Sequence, residues 1–323
     1  MAREIIKNIY IHEVTLPVNI LKAVNCYIIL SEDRNLVIDT GFNLPECRES
    51  LFGALNDLSV DLSKTDLFIT HLHGDHCGLV KSFADKGVQA YTSETDGKLI
   101  NMMRSTEYKK VLDTYINLYD LYRDSAILQD PPGFKFAEKV QIDFKFLKEG
   151  DIISVGDYNL EVIETPGHTP GHIGLYDRKH KLFFCGDHIL DSISPNIAFW
   201  GFEQDILSVY MDSLRKVYAY EIDYLFTAHR NIIRDHRRRI DELLHHHEER
   251  LQEILDIISE KEMSVSETAR RMKWSVRGLS WNDFPAQQKW FACGEAMSHL
   301  EHLVYIGKAE KRMQGEVVYY KKK

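Results

Sequence analysis

No stretch of this 323-residue chain approaches the ~20 consecutive apolar residues of a membrane-spanning helix, so a helical membrane protein is not expected. The first residues, Met1-Ala2-Arg3-Glu4-Ile5-Ile6-Lys7, carry no apolar signal region. Cysteine is scarce: Cys26, Cys47, Cys77, Cys185 and Cys293 are odd in number, scattered and without CxxC spacing. That pattern fits free thiols in a reducing compartment better than a disulfide framework, so a cytoplasmic location is expected. Cys77 and Cys185 read as small packing residues. An excess of positive charge is also missing. Forty Lys and Arg face 49 Asp and Glu, for a net charge of −9. This disfavours a dedicated nucleic-acid binder, although a local patch can oppose the global sign. No Ser-His-Asp arrangement or phosphate-cradling glycine loop competes for the chemistry. The apolar fraction of 44% is ordinary for a globular protein, and the length suits two domains.

Histidine, by contrast, is plentiful, with 15 residues. Three of them and an aspartate crowd into Thr70-His71-Leu72-His73-Gly74-Asp75-His76, straight after the apolar run Leu67-Phe68-Ile69. Alternation in an extended segment puts His71 and His73 on one side. Asp75 and His76 follow in the turn, where they can reach a second ion. Neutral imidazoles with a carboxylate suit zinc, with iron or manganese as alternatives. A lone histidine is usually an ordinary core or surface residue. This cluster is less easily dismissed, because three more apolar runs end in ligand-type residues. Tyr158 to Ile163 leads into Glu164-Thr165-Pro166-Gly167-His168-Thr169-Pro170-Gly171-His172, whose glycines and prolines force a sharp turn. Leu182-Phe183-Phe184-Cys185-Gly186 ends at Asp187, a carboxylate able to bridge two cations. Tyr224-Leu225-Phe226-Thr227-Ala228 ends at His229.

With Val37-Ile38-Asp39-Thr40-Gly41, these pieces resemble the metallo-β-lactamase superfamily, in the family's order, from about Tyr10 to about Asn231. The resemblance implies an α+β fold, a four-layer αββα sandwich. It implies that His71, His73 and His168 hold one divalent ion, that Asp75, His76 and His229 hold a second, and that Asp187 bridges them. His172 would orient its turn rather than ligate, and Asp39 would hydrogen-bond a ligand or water behind the ions. Two zinc ions, or iron or manganese, would lower the pKa of a shared water and make hydroxide available for attack, with Asp75 steering that nucleophile. One departure is visible. Family members often flank the last histidine with glycines, whereas here the flank is Thr227-Ala228-His229-Arg230.

Along the chain, strands are expected at Ile9–Leu16, Asn25–Leu30, Asn35–Asp39, Leu67–Thr70 and Val88–Thr92, with helices near Arg48–Leu58 and Gly78–Lys86. A second half from Phe144 to His229 repeats the style, with one helix near Phe202–Ala219. This gives a catalytic domain over 1–240, interrupted by a helical insert at about 93–139. In the insert, Tyr108, Leu112, Tyr115, Tyr119 and Tyr122 recur at helical spacing and form one face. Plain packing, a lid over the metal cleft and a homodimer seam all suit such a stripe. Asp130-Pro131-Pro132-Gly133-Phe134 would end the helix as a hinge. Tyr115, Tyr119, Phe199 and Trp200 are candidate substrate-wall residues. A domain over 241–323 reads as three helices and a hairpin around Gln314-Gly315, similar to the winged-helix module of some metallo-β-lactamase-fold hydrolases. His245-His246-His247 lies inside its first helix.

The expected function is a metal-dependent hydrolase of thioesters, lactones or other small carbonyl substrates, similar to glyoxalase II. A nuclease on the same scaffold is the main alternative, with Arg230, Arg234, Arg237, Arg238 and Arg239 as the one dense basic track it would need, against an exposed helix start paired with Asp241 and Glu242; the positive end at Lys308, Lys311, Arg312 and Lys321-Lys322-Lys323 reads as a solvated tail or a packing surface in preference to a phosphate patch. An iron-dependent enzyme resembling persulfide dioxygenases would use the first ion alone. The flavodiiron variant is disfavoured, because His73 stands where that family places a glutamate.

Overall fold

The computed structural model describes residues 1–17, 21–103, 105–124, 140–274 and 280–323, so the expected hinge at Asp130–Phe134 lies outside the described residues. The chain divides into two compact units. One holds Met1–Arg104, Gly133–Pro195 and Ser213–Ile240, and the other holds Ser105–Pro132, Asn196–Asp212 and Asp241–Lys323.

The first unit is built on two sheets. Strands β1 (Arg3–Ile6), β2 (Ile9–Thr15), β3 (Ala23–Ile29), β4 (Asn35–Ile38), β5 (Thr65–Phe68), β6 (Gln89–Ser93) and β7 (Phe144–Leu147) form the first in sequential order. Strands β8 (Ile152–Val155), β9 (Tyr158–Glu164), β10 (Ile173–Asp177), β11 (Leu182–Gly186) and β12 (Tyr224–Thr227) form the second, in the order β12-β11-β10-β9-β8. Side chains two apart share a face of a strand. Ile9 and Ile11, Tyr27 and Ile29, and Leu36 and Ile38 thus meet Leu160 and Val162, Ile173 and Leu175, and Phe184 and Phe226 in one buried core between the sheets. Phe184 stacks on Phe226 at 4.6 Å, and Tyr27 meets Phe184 edge-on at 5.2 Å. Each such ring or branched side chain contributes about 1.5–3 kcal/mol by leaving water. The outer face of the first sheet is buried too, at Ile28, Val37 and Leu67, with α1 (Pro45–Asp57) packed on β2.

Strand direction gathers the ligand-type residues. β4, β5, β6 and β7 are parallel, with Ile38 beside Phe68 and Phe68 beside Tyr91, so the chain leaves them at one edge. β11 and β12 are parallel, so Asp187 and His229 follow at a common end. The antiparallel pair β9 and β10 encloses the turn that bears His168.

Two segments differ from the sequence reading. β7 pairs with β6, Ala90 beside Phe144, and so completes the first sheet instead of opening the second half. A parallel partner beyond an insert leaves no local signal. The helix expected near Gly78–Lys86 is the shorter α3 (Val80–Ala84), the turn expected at Asp75 and His76 is a short helix, α2 (Gly74–Cys77), and α4 (Glu94–Met102) follows β6.

In the second unit, α5 (Thr106–Tyr119) is capped by Ser105 and stops where Asp120 turns left-handed at φ 61°, short of Tyr122. α6 (Ile206–Tyr218) and α7 (His236–Ile257) each run across a unit boundary in sequence. From Asp241 the order is the end of α7, β13 (Met263–Ser264), α8 (Val265–Arg271), α9 (Ala286–Tyr305), β14 (Ala309–Gln314) and β15 (Val317–Lys322), with the sheet arranged β13-β15-β14. Ser264 and Glu267 form a capping box at α8. α5, from the middle of the sequence, packs on α8, α9 and β15. Its tyrosine stripe is the seam: Tyr119 lies 5.3 Å from Trp290, and Tyr115 lies 5.4 Å from Phe199, ring to ring. No helix among the described residues is long and apolar enough to cross a membrane.

Candidate metal centre

The strand ends bring the seven expected ligand residues together. The ligand atoms of His71, His73 and His168 lie within 4.8 Å of one another, as do those of His71, His76 and Asp187, and those of Asp75, His76 and His229. Within these groups His73 Nδ1 is 3.1 Å from His71 Nε2 and 2.9 Å from His168 Nε2. Asp187 stands between them. Its Oδ2 is 3.5 Å from His168 Nε2 and 3.6 Å from His76 Nε2, and its Oδ1 is 3.4 Å from His229 Nε2. Asp75 Oδ2 lies 3.5 Å from His229 Nε2. A tetrahedral ion with nitrogen ligands at about 2.0–2.1 Å would space its ligand atoms about 3.3–3.4 Å apart, close to these separations.

The outward ring nitrogens are engaged, which turns the others to the centre. Asp39 sits just past β4 in a left-handed conformation, φ 61°, which a short polar side chain tolerates. Its Oδ2 accepts from His76 Nδ1 at 2.8 Å. Its Oδ1 accepts from the Thr70 backbone N–H at 2.9 Å, and the Thr70 hydroxyl donates to the same carboxylate at 2.8 Å. That hydroxyl lies 2.9 Å from His71 Nδ1, from which it can accept. Asp39 thus fixes the tautomer of His76 directly and that of His71 through Thr70. His229 Nδ1 donates to the Ala23 carbonyl at 2.7 Å. His172 bonds the Thr165 hydroxyl at 2.8 Å through Nδ1 and accepts from the Asp187 N–H at 3.2 Å through Nε2. It therefore ties the His168 turn to the end of β11.

Metal fit can be judged from what these contacts leave over. His76 Nε2, His229 Nε2 and Asp187 Oδ1 are buried and lack hydrogen-bond partners among the described residues, although each faces the same small volume. Unsatisfied buried polar atoms are costly, and a cation coordinated by them removes that cost. Burial, reinforced by the neighbouring imidazoles, keeps His71 well below the usual histidine range, and burial holds His73 down at about 3, so both offer neutral lone pairs. At Asp75, burial is outweighed by His76 and His229, and the carboxyl falls to about 2. At His76, burial is outweighed by Asp187, Asp39 and Asp75, which raise it. A centre this rich in carboxylate favours positive charge. The donor set fits two divalent ions.

Gly186 lets the two halves close. It is left-handed at φ 51°, and a Cβ there would lie 2.7 Å from His172 Nε2 and 2.8 Å from Thr70 Cβ. At the flank that departs from the family pattern, Arg230 adopts φ 68°, a conformation glycine enters more easily, and Asn25 Nδ2 donates to its carbonyl at 3.0 Å.

The four aromatic candidates lie in the second unit. Tyr119 and Phe199 are 1% and 3% exposed, their rings spent on packing, while Tyr115 and Trp200 are half-buried. The arginine cluster is largely occupied. Arg234 stacks on Tyr224 at 3.4 Å, Arg237 pairs with Glu221 at 2.8 Å, and Arg239 donates to the Leu190 and Ile193 carbonyls at 2.7 and 3.0 Å. In the second unit Lys311 pairs with Glu301 and Arg312 with Glu262, each at 2.6 Å. Thr70 and Asn25, hydrogen-bonded to Asp39 and to the Arg230 carbonyl, and Asp96, buried in the first turn of α4, went unread in the sequence. Thr70 adjoins the histidine motif, but Asp96 follows Ser93 as an ordinary helix-start pattern and gives no signal of its role.

A family model described as the metallo-β-lactamase superfamily matches residues 20–229. The chain belongs to the metallo-β-lactamase superfamily. Among curated relatives, it is 30% identical over 174 residues to an acyl-coenzyme A thioesterase, MBLAC2, of Gallus gallus, covering 52% of this chain and 58% of that one. It is 26% identical to an atrochrysone carboxyl ACP thioesterase of Emericella nidulans over 66% of this chain and 53% of the relative. It is 28% identical to the hydroxyacylglutathione hydrolase GloC of Haemophilus influenzae over 50% and 65%, respectively. The matches thus span between about half and two thirds of these relatives' own length. A metallo-β-lactamase family protein of Thermus thermophilus shares the fold with a TM-score of 0.80 at 23% identity, covering 98% of this chain and 99% of that one.

Asp39 is the superfamily residue whose loss reaches both ligand groups, through His76 and through Thr70 and His71. Asp39→Asn keeps the shape and tolerates the left-handed backbone, but it removes the charge and one acceptor. Metal affinity is expected to fall about 10–100-fold with the fold retained. Competition with a chromogenic chelator measures this, and parent affinity in the variant would contradict the assignment.

Proposed function

We propose that this superfamily member is a dinuclear metal-dependent hydrolase of thioesters, with lactones and other small carbonyl esters as the neighbouring substrate class. The observation that carries the reading is the convergence of seven ligand-type side chains on one centre, with unpartnered Nε2 and Oδ1 atoms facing inward. In this proposal His71, His73 and His168 hold one ion, Asp75, His76 and His229 hold the other, and Asp187 serves both. When bound, two divalent ions, zinc foremost, would supply Lewis acidity and a water of lowered pKa. The chain's own residues do the rest. Asp75, ionised and acceptor-only, orients the attacking group. Asp39, Thr70, Ala23 and His172 keep the imidazoles aimed, so that little reorganisation accompanies attack on the carbonyl. A thiol nucleophile is not supported: burial pushes the Cys185 thiol up, and its sulfur is engaged by the Ile189 carbonyl at 3.3 Å.

The names of the thioesterase and hydroxyacylglutathione hydrolase relatives favour a thioester over the alternatives. A nuclease is disfavoured because Arg234, Arg237, Arg239, Lys311 and Arg312 have protein partners instead of forming an open basic track. An oxygenase using the first ion alone leaves the second group unexplained. Residues 241–323 are read as a winged helix on their order of helices and hairpin, with a packing role. Within the second unit Tyr119 and Phe199 are assigned to packing, while Tyr115 and Trp200 keep part of their surface exposed. The test is a panel of acyl-coenzyme A, S-acylglutathione, lactone, phosphodiester and RNA substrates on zinc-loaded protein. Thioesters are expected to turn over with the highest kcat/KM. Preferred cleavage of a phosphodiester would reverse the assignment.

A further inference from the structure

Asp96 is not a ligand candidate, yet it is 0% exposed and joins the two loops that carry the first group of histidines. Its Oδ2 accepts from the Leu72 N–H at 3.0 Å and from the Thr169 hydroxyl at 2.6 Å. Its Oδ1 accepts from the Gly171 N–H at 2.8 Å. Leu72 lies between His71 and His73, and Thr169 follows His168. The carboxylate is itself held in the first turn of α4, where the Asp96 N–H donates to the Ser93 hydroxyl at 3.2 Å. Gly171 permits the approach: a Cβ there would lie 2.6 Å from both the backbone nitrogen and Oδ1 of Asp96. Burial raises the carboxyl to about 6, against the pull of its three donors. A buried carboxylate is a costly way to fill space. What it adds over an apolar side chain is directional control of three donors on two loops. The other group hangs elsewhere, His76 on Asp39 and His229 on the Ala23 carbonyl.

We propose that Asp96 is the positioning residue for the first ion, setting the loop of His71 and His73 against the loop of His168, and that the second ion does not depend on it. This rests on the dinuclear reading above. The test is cobalt(II) titration of the metal-free full-length chain, followed by visible absorption, with the melting temperature as a fold control. The parent should take up two cobalt ions. In a His229→Ala background, where the first group remains whole, Asp96→Asn should weaken cobalt binding about 10–100-fold, because its amide nitrogen cannot accept from a backbone N–H. In a His168→Ala background, where the second group remains whole, Asp96→Asn should leave cobalt affinity unchanged. Thr169→Val, which removes one donor of three, should give a smaller loss in the first background only, and it provides the same test if the asparagine variant does not fold. Equal losses in both backgrounds, or none in either, would overturn the proposal while leaving the dinuclear reading standing. A parent chain that binds no cobalt would overturn both.

Discussion

His71→Ala is expected to cut kcat/KM by about 10³-fold or more, equivalent to about 4 kcal/mol of transition-state stabilisation. Metal content should fall at the same time from two ions per chain to one or fewer. The size of the effect follows from position. His71 belongs to two of the three ligand groups, and its Nε2 faces His73 Nδ1 at 3.1 Å. Its other nitrogen ends the hydrogen-bond relay through Thr70 to Asp39, so truncation removes a donor and leaves the relay without its end. The strands that frame the site do not need His71 for their core, which lies between the sheets at Phe184, Phe226 and Tyr27. The variant should therefore fold, with a melting temperature near that of chelator-treated parent. Metal analysis and steady-state kinetics on one preparation check this. Normal turnover with normal metal content would show that the histidine cluster is not the reaction centre.

Asp187→Ala is expected to remove both ions together. One carboxylate oxygen faces His229, and the other faces His168 and His76, so the side chain serves both groups at once. It is also one of two carboxylates among the seven ligand-type residues, and without it five imidazoles and Asp75 would face two divalent charges. Asp187→Asn, which keeps the shape and loses the charge, should retain less metal than parent and more than the alanine variant. Sequential metal release, read by competition with chelators of graded strength, separates the cases. Loss of a single ion, with the other held at parent affinity, would argue against a bridging role.

The cluster of ligand-type residues is legible in the sequence because each of its segments follows an apolar strand, and strands of this kind announce themselves by composition. His71, Asp187 and His229 come straight off β5, β11 and β12. The braces were harder to read. Asp39 stands out only beside a known family turn, and Asp96 resembles any acidic residue in the first turn of a helix. Long-range partners left no local trace. The periodicity of Tyr108, Tyr115 and Tyr119 identified a helix face, but Trp290, the ring that meets it, lies some 170 residues away in sequence. Strand β7 read as part of the wrong half for the same reason, since a parallel partner beyond an insert cannot be inferred from spacing. The arginines from Arg230 to Arg239 left two readings open in the sequence, a basic track or an exposed helix start. Their side chains instead stack on Tyr224, pair with Glu221 and hold the loop after Asp187, contacts set by tertiary structure alone.

Under the proposed function, two divalent ions in this histidine and aspartate centre would drive thioester hydrolysis. The most direct measurement is the rate of S-acylglutathione and acyl-coenzyme A hydrolysis as zinc is titrated into metal-free protein. Turnover is expected to be negligible without metal and to rise until it levels off at two zinc ions per chain. Thioester turnover that is unchanged by complete metal removal would contradict the proposed function.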